Sequence, residues 1–167
     1  MTIAVQKLTD ESLMRKACAV TNGKTSSKVT LEQIYKCEHS PIRSQIFWIE
    51  MYGIPSFVSV HFVRHKVGVE HFVKSLRDDR CGKGNETRNS PVNHFMLINA
   101  QALINMARKR LCTKAHKETR KVMNEIKMAV RNVDFALFER LVPDCEYRNG
   151  CYELKSCGMY QKYHKEE

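Results

Sequence analysis

The run His61-Phe62-Val63-Arg64-His65-Lys66 continues through Val67, Gly68, Val69, Glu70, His71, Phe72, Val73, Lys74, Ser75, Leu76 and Arg77, and so gathers three histidines, four cations and a serine. An apolar-rich stretch from Ile54 to Val60 leads directly into it. Charged groups are not buried cheaply without partners, so such a cluster is either a solvated exit turn or a site. The chemistry it could do is the gripping of anions. A second polar cluster, Asn99 to Arg110, favours the site. The formal charge of +10 points the same way, toward nucleotide phosphates, nucleic acid or a polyanionic cofactor.

The elements that must carry these residues follow from local pattern. Ile3 to Leu8 suits a short strand, and Thr9 or Asp10 caps a helix running to Val20 and closed by Asn22-Gly23. Thr30-Leu31-Glu32-Gln33 has the form of a capping box, opening a short helix to Cys37 that Pro41 shows has ended. Gln45 to Met51 is β-branched and aromatic, a strand expected to be covered on both sides, with Tyr52-Gly53-Ile54-Pro55 breaking it. Ser56 to Val63 reads as a helix with Pro55 in its first turn. Asp78 to Asn93 reads as a long polar loop, either a lid or phosphate-binding segment or a plain surface loop. His94 to Ile98 is a further strand.

From Asn99, a plausible N-cap, to about Val130, the apolar residues Leu103, Ile104, Ala107, Leu111, Ala115, Val122, Ile126 and Ala129 recur at helical steps and predict one long helix. On such a helix Asn99 and Arg110 share one side, roughly 16 Å apart along the axis, while Asn105 points about 120° away. One compact pocket cannot use all three. A long ligand, or a site shared between subunits, can. A short helix from Phe135 to Leu141 precedes Pro143.

The chain has the size of one domain, taken as residues 1–167 with a cysteine-containing tail from about 143. Cys145, Cys151 and Cys157 follow a C-x5-C-x5-C pattern. Zinc thiolate pairs are commonly spaced two to four residues apart, so free thiols or a disulfide are expected there in preference to a metal. Neither an export signal nor a membrane-crossing apolar run is evident, which with seven scattered cysteines suggests a soluble, cytoplasmic protein with reduced thiols.

Three segments together resemble the flavin-dependent thymidylate synthases. They are Glu38-His39-Ser40-Pro41-Ile42 leading into the strand at Gln45, the stretch from His61 to Lys66 with Ser75 and Arg77, and Asn99 to Cys112 followed by Ala115, Glu118 and Arg120. The resemblance implies an α+β fold, a twisted and largely antiparallel sheet with packed helices, assembled as a homotetramer whose sites are shared between subunits. It implies FAD held by Arg64, His65, Lys66, Asn99, Gln101 and Asn105. It implies dUMP held by His61, Arg77 and Arg110, with Arg110 and Ser75 in catalytic roles. Arginine suits that place because it stays charged and presents a fork of donors. The implied reaction is reductive methylation of dUMP to dTMP, with methylenetetrahydrofolate giving the carbon and NADPH the hydride through FAD.

The sequence departs from the family pattern at defined points. Lys66 stands where a third signature arginine belongs and lacks its bidentate geometry. Ser75 lies one place late, so either an inserted residue restores Ser75 and Arg77 together or Lys74 takes the serine position. Ser44 replaces a histidine on the flavin-facing strand. These departures also admit a divergent enzyme modifying a pyrimidine nucleotide, such as a hydroxymethylase. The charge admits a non-catalytic basic domain that binds nucleotides or nucleic acid.

Overall fold

The computed structural model describes residues 1–81, 84 and 86–163. Its sheet has four strands, β1 (Thr2–Lys7), β2 (Ile46–Pro55), β3 (Val69–Val73) and β4 (Pro91–Asn99). They pair antiparallel throughout, in the order β1-β2-β4-β3. The fold is therefore the expected α+β arrangement. β2 does not stop at Met51. It runs on to Pro55 across a shift in register between Met51 and Ile54, with Gly53 at a φ of 65°, so the Tyr52–Pro55 break is a bulge inside one strand.

β2 is also covered on one face only. Phe47, Ile49 and Met51 are fully buried while Ile46, Trp48 and Glu50 are partly exposed, the alternation of a half-buried strand. The outer face carries Trp48, Tyr52, Phe72 and Phe95 in a tilted and edge-on ring array. β3 has no counterpart in the sequence reading. It holds only five residues at the sheet edge.

Among the described residues the α-helices are α1 (Glu11–Thr21), α2 (Leu31–Cys37), α3 (Ser56–Phe62), α4 (Asp78–Cys81), α5 (Ala100–Arg110), α6 (Lys117–Arg131), α7 (Phe135–Arg140), α8 (Asp144–Tyr147) and α9 (Met159–Tyr163). Of these, α3, α5 and α6 pack directly against the strands. Asp10 caps α1 through the Ser12 amide, and the Thr30–Gln33 capping box of α2 is complete in both directions. The long helix expected from Asn99 to Val130 is two helices, α5 and α6, joined by residues 111–116. A turn from Cys112 to Ala115 closes that junction, with the Ala115 amide on the Cys112 carbonyl at 2.9 Å. The segment expected to be loop from Asp78 holds the single turn α4; Gly82, Lys83 and Asn85 lie outside the described residues.

Met14, Tyr35, Phe47, Ile49, Leu103, Met123 and Leu137 form the heart of the core. A buried charge sits against it. Asp134 accepts from Lys7 Nζ at 2.7 Å and from the Tyr35 hydroxyl at 2.8 Å, and it caps α7 through the Leu137 amide at 3.0 Å.

Candidate functional site

The end of α3, the turn after it, and the end of α5 converge. Arg110, in the last turn of α5, donates from its Nε to His65 Nε2 at 3.0 Å and from Nη2 to the His61 carbonyl at 2.6 Å. Both acceptors are neutral. Among the described residues no carboxylate pairs with Arg110. Burial, and after it the neighbouring Arg64 charge, hold its guanidinium below the usual arginine range. A half-buried cation facing a second cation, with no acid beside it, is a site prepared for an incoming anion.

His61 stands on α3 with its Nδ1 2.7 Å from Thr119 Oγ1, a buried hydroxyl of α6. Burial pushes its imidazole pKa down, followed by Arg110, Arg64, His116 and Arg88. Arg88 reaches this field from the segment before β4, with its guanidinium 5.0 Å from the Phe57 ring. The sequence reading placed a possible phosphate-binding segment there without singling out Arg88. His116 packs edge-on to Phe57 at 4.8 Å. Its only sequence cue was a place in the supposed middle of a helix, so it went unnoticed. His65 is pushed down to about 4, by burial first and then by Arg110 and His71. Arg64 and Lys66 are exposed on either side of it.

Asn99 caps α5, its Oδ1 accepting from the Ala102 amide at 2.9 Å. Its own amide donates to the Gly68 carbonyl at 3.0 Å, which fastens the turn carrying Arg64, His65 and Lys66 to the start of α5. Gln101 and Asn105 belong to a different group. Gln101 donates to Glu38 Oε2 at 2.6 Å, and Arg108 bonds both Asn105 Oδ1, at 3.1 Å, and Glu38. Arg108 also lies over the Tyr147 ring at 3.4 Å, and its Nε is buried without a hydrogen-bond partner. Glu38 is placed there by a left-handed backbone, with a φ of 54° at the end of α2.

Ser75 and Arg77 follow β3. The Arg77 guanidinium is engaged by Asp79 at 2.9 and 3.0 Å, and its amide bonds Ser75 Oγ at 3.3 Å. Within one chain, then, His61, Arg64, His65 and Arg110 come together. Gln101 and Asn105 gather with Arg108 and Glu38, and Ser75 and Arg77 turn to their own loop. Cys145, Cys151 and Cys157 line a cavity of about 200 Å³ with Cys112. All four are free thiols.

Comparison with protein-family models and with curated proteins gave no match. Solved structures do match. Thymidylate synthase X (ThyX) from Helicobacter pylori, with FAD and dUMP, superposes with a TM-score of 0.68 at 15% identity, over 85% of this chain and 99% of that one. A second flavin-dependent ThyX structure from Helicobacter pylori, complexed with FAD and dUMP, gives 0.65 at 15% identity, over 85% and 100%. The UMP/dUMP methylase PolB from Streptomyces cacaoi, bound with 5-Br dUMP, gives 0.63 at 12% identity, over 83% and 94%. The chain thus has the α+β fold of these structures. At such identities it is the architecture that is shared.

Proposed function

We propose that this protein is a FAD-dependent enzyme that methylates the uracil of dUMP to give dTMP, drawing carbon from methylenetetrahydrofolate and hydride from NADPH. The observation that carries the reading is Arg110 held on His65 and the His61 carbonyl, beside Arg64, with no acid partner among the described residues. A nucleotide phosphate or an ionising uracil supplies the missing negative charge. The fold shared with enzymes solved with FAD and dUMP supports the choice of ligand.

The residues present fit a flavin dinucleotide. Arg64 and Lys66 are exposed cations on a turn fixed by Asn99, suited to a pyrophosphate, while Gln101 and Asn105 would reach the flavin by exchanging their bonds to Glu38 and Arg108. Bound flavin supplies the hydride chemistry. His61 and Arg110 bind and orient the nucleotide, and Arg110 stabilises negative charge on the activated ring. The Arg110 fork stays charged despite its lowered pKa, because arginine titrates so far above neutrality.

The assembly belongs to the same proposal. The aromatic outer face of the sheet, where Tyr52 and Phe72 are exposed, is the kind of apolar patch that subunit contacts cover. A homotetramer would let Ser75 and Arg77 complete a neighbour's site, in a cytoplasmic enzyme of nucleotide biosynthesis. The likeness to a UMP/dUMP methylase keeps UMP as the alternative substrate.

The test is an absorption spectrum of purified protein with added FAD, followed by anaerobic titration with dUMP, UMP and mixed-sequence DNA. Flavin binding, a dUMP-dependent spectral change and bleaching by NADPH are expected. Colourless protein that ignores FAD and dUMP but binds DNA with steep salt dependence would replace this reading with nucleic-acid binding.

A further inference from the structure

The mechanism above uses neither His71 nor His94, yet the two are bonded to each other beside the site. His94, on β4, is fully buried. Its Nδ1 lies 3.0 Å from Ser59 Oγ, and its Nε2 lies 2.9 Å from His71 Nδ1. His71 Nε2 lies 2.8 Å from the His65 carbonyl oxygen. The Phe62 ring meets His94 at a steep angle, 6.3 Å between centroids.

The direction of every bond in this row follows from its last member. A carbonyl only accepts, so His71 Nε2 carries hydrogen and donates. Neutral His71 then offers a lone pair at Nδ1, which requires His94 to donate from Nε2. His94 in turn accepts at Nδ1, and the Ser59 hydroxyl donates to it. Each imidazole is fixed as one tautomer. The row ends on His65, whose own Nε2 must be bare to receive Arg110 Nε–H, so His65 is the opposite tautomer.

We infer that Ser59, His94 and His71 are positioning residues, a one-way hydrogen-bond chain that holds the His65 backbone and thereby aims Arg110. The use of that aim rests on the nucleotide site proposed above; the chain itself does not. His65 is anchored at two points, its carbonyl by the sheet through His71 and its ring by α5 through Arg110. The groups bonded to the chain are Ser59 of α3, His71 of β3, His94 of β4, His65 of the intervening turn and Arg110 of α5. No carboxylate bonds any of them among the described residues.

The experiment is nitrogen-15 NMR of the ligand-free protein at neutral pH, with His94→Phe and His94→Gln variants. Wild-type protein is expected to show His71 and His94 protonated at Nε2 and His65 at Nδ1. Arg110 Nε–H should exchange slowly with water. In H94F that exchange should quicken by roughly tenfold, the loss expected for one buried hydrogen bond. In H94Q it should stay near wild type, because the amide oxygen can accept from Ser59 while its nitrogen donates to His71. His71→Phe, at a partly exposed place on the edge strand, repeats the H94F effect should H94F fail to fold. A wild-type His94 protonated at Nδ1, or exchange at Arg110 unmoved in H94F and H71F, overturns the inference. Titration with dUMP adds a separate arm, with binding about tenfold weaker in H94F and restored in H94Q. If wild-type protein binds no dUMP, the nucleotide reading fails while tautomers and exchange still decide the chain.

Discussion

Gly68 and Asn99 leave no room for each other beyond what they already share. A Cβ built on Gly68 would stand 2.3 Å from Asn99 Nδ2, and Gly68 holds a φ of 74°. The glycine is needed twice, for the left-handed backbone and for the amide that lies against it. Gly68→Ala should therefore destabilise the protein by about 2 kcal/mol or more and shift the turn that bears Arg64 and His65. Asn99→Ala should cost about 1 kcal/mol through loss of the α5 cap, without the clash. Urea unfolding of both variants checks the order, and a G68A variant as stable as wild type would contradict it.

Acid should weaken the fold well above the carboxylate range. His94 and His65 are each pushed down to about 4 from an ordinary value of 6.5, in both cases mainly by burial. The unfolded chain thus binds protons at these rings more readily than the native one. Their contribution to stability is complete above about pH 6.5 and is lost as pH falls from there toward 4. At about 1.4 kcal/mol for each pH unit, the buried His94 alone is worth on the order of 3 kcal/mol. Denaturant titrations between pH 4 and 8 should show stability rising with pH, with a shallower slope in His94→Gln.

Much of the frame could be read from the residues, and the failures have physical causes. The caps at Asp10, Thr30 and Asn99 were legible because capping chemistry is local. The break between α5 and α6 was not. Leu111 and Val122 are eleven residues apart in the chain, within about 20° of three helical turns, so the apolar stripe stays in phase across the turn and hides it. β3 escaped because Val69–Val73 is short and carries Glu70, His71 and an exposed Phe72, leaving little apolar alternation. Pairing with β4 makes it a strand. His61, Arg64, His65 and Arg110 were singled out by type and by resemblance, and the fold brings them together. Arg88 and His116 were missed because only the tertiary fold brings them to His61.

Arg110→Lys should separate charge from geometry. Lysine keeps the cation but cannot reach His65 Nε2 and the His61 carbonyl together, since both bonds come from one planar fork. On the proposed function, dUMP binding should weaken by roughly thirtyfold, the equivalent of one charge-assisted hydrogen bond of about 2 kcal/mol. Arg108→Lys should leave dUMP affinity nearly unchanged, because Arg108 is already paired with Glu38. Calorimetry at constant ionic strength distinguishes them, and equal losses in the two variants would argue against a special place for Arg110.

The buried charge of Asp134 makes the sharpest prediction about stability. Its side chain is 1% exposed and serves Lys7, the Tyr35 hydroxyl and the α7 amide at once. Asp134→Ala strands the Lys7 ammonium, leaves the Tyr35 hydroxyl unmatched and uncaps α7, a loss of about 3 to 5 kcal/mol. Asp134→Asn keeps an oxygen for the α7 cap and puts an NH2 group where Oδ2 stood, so the Tyr35 hydroxyl can turn to accept from it while Lys7 loses its acceptor; its loss should be smaller, nearer 2 kcal/mol. Lys7→Met relieves the cation yet leaves the carboxylate buried with the tyrosine and the helix amide alone, and should fall between the two. Thermal and urea unfolding of the three variants gives the ranking. If Asp134→Ala proves the mildest of the three, β1 and α7 are not joined through this charge.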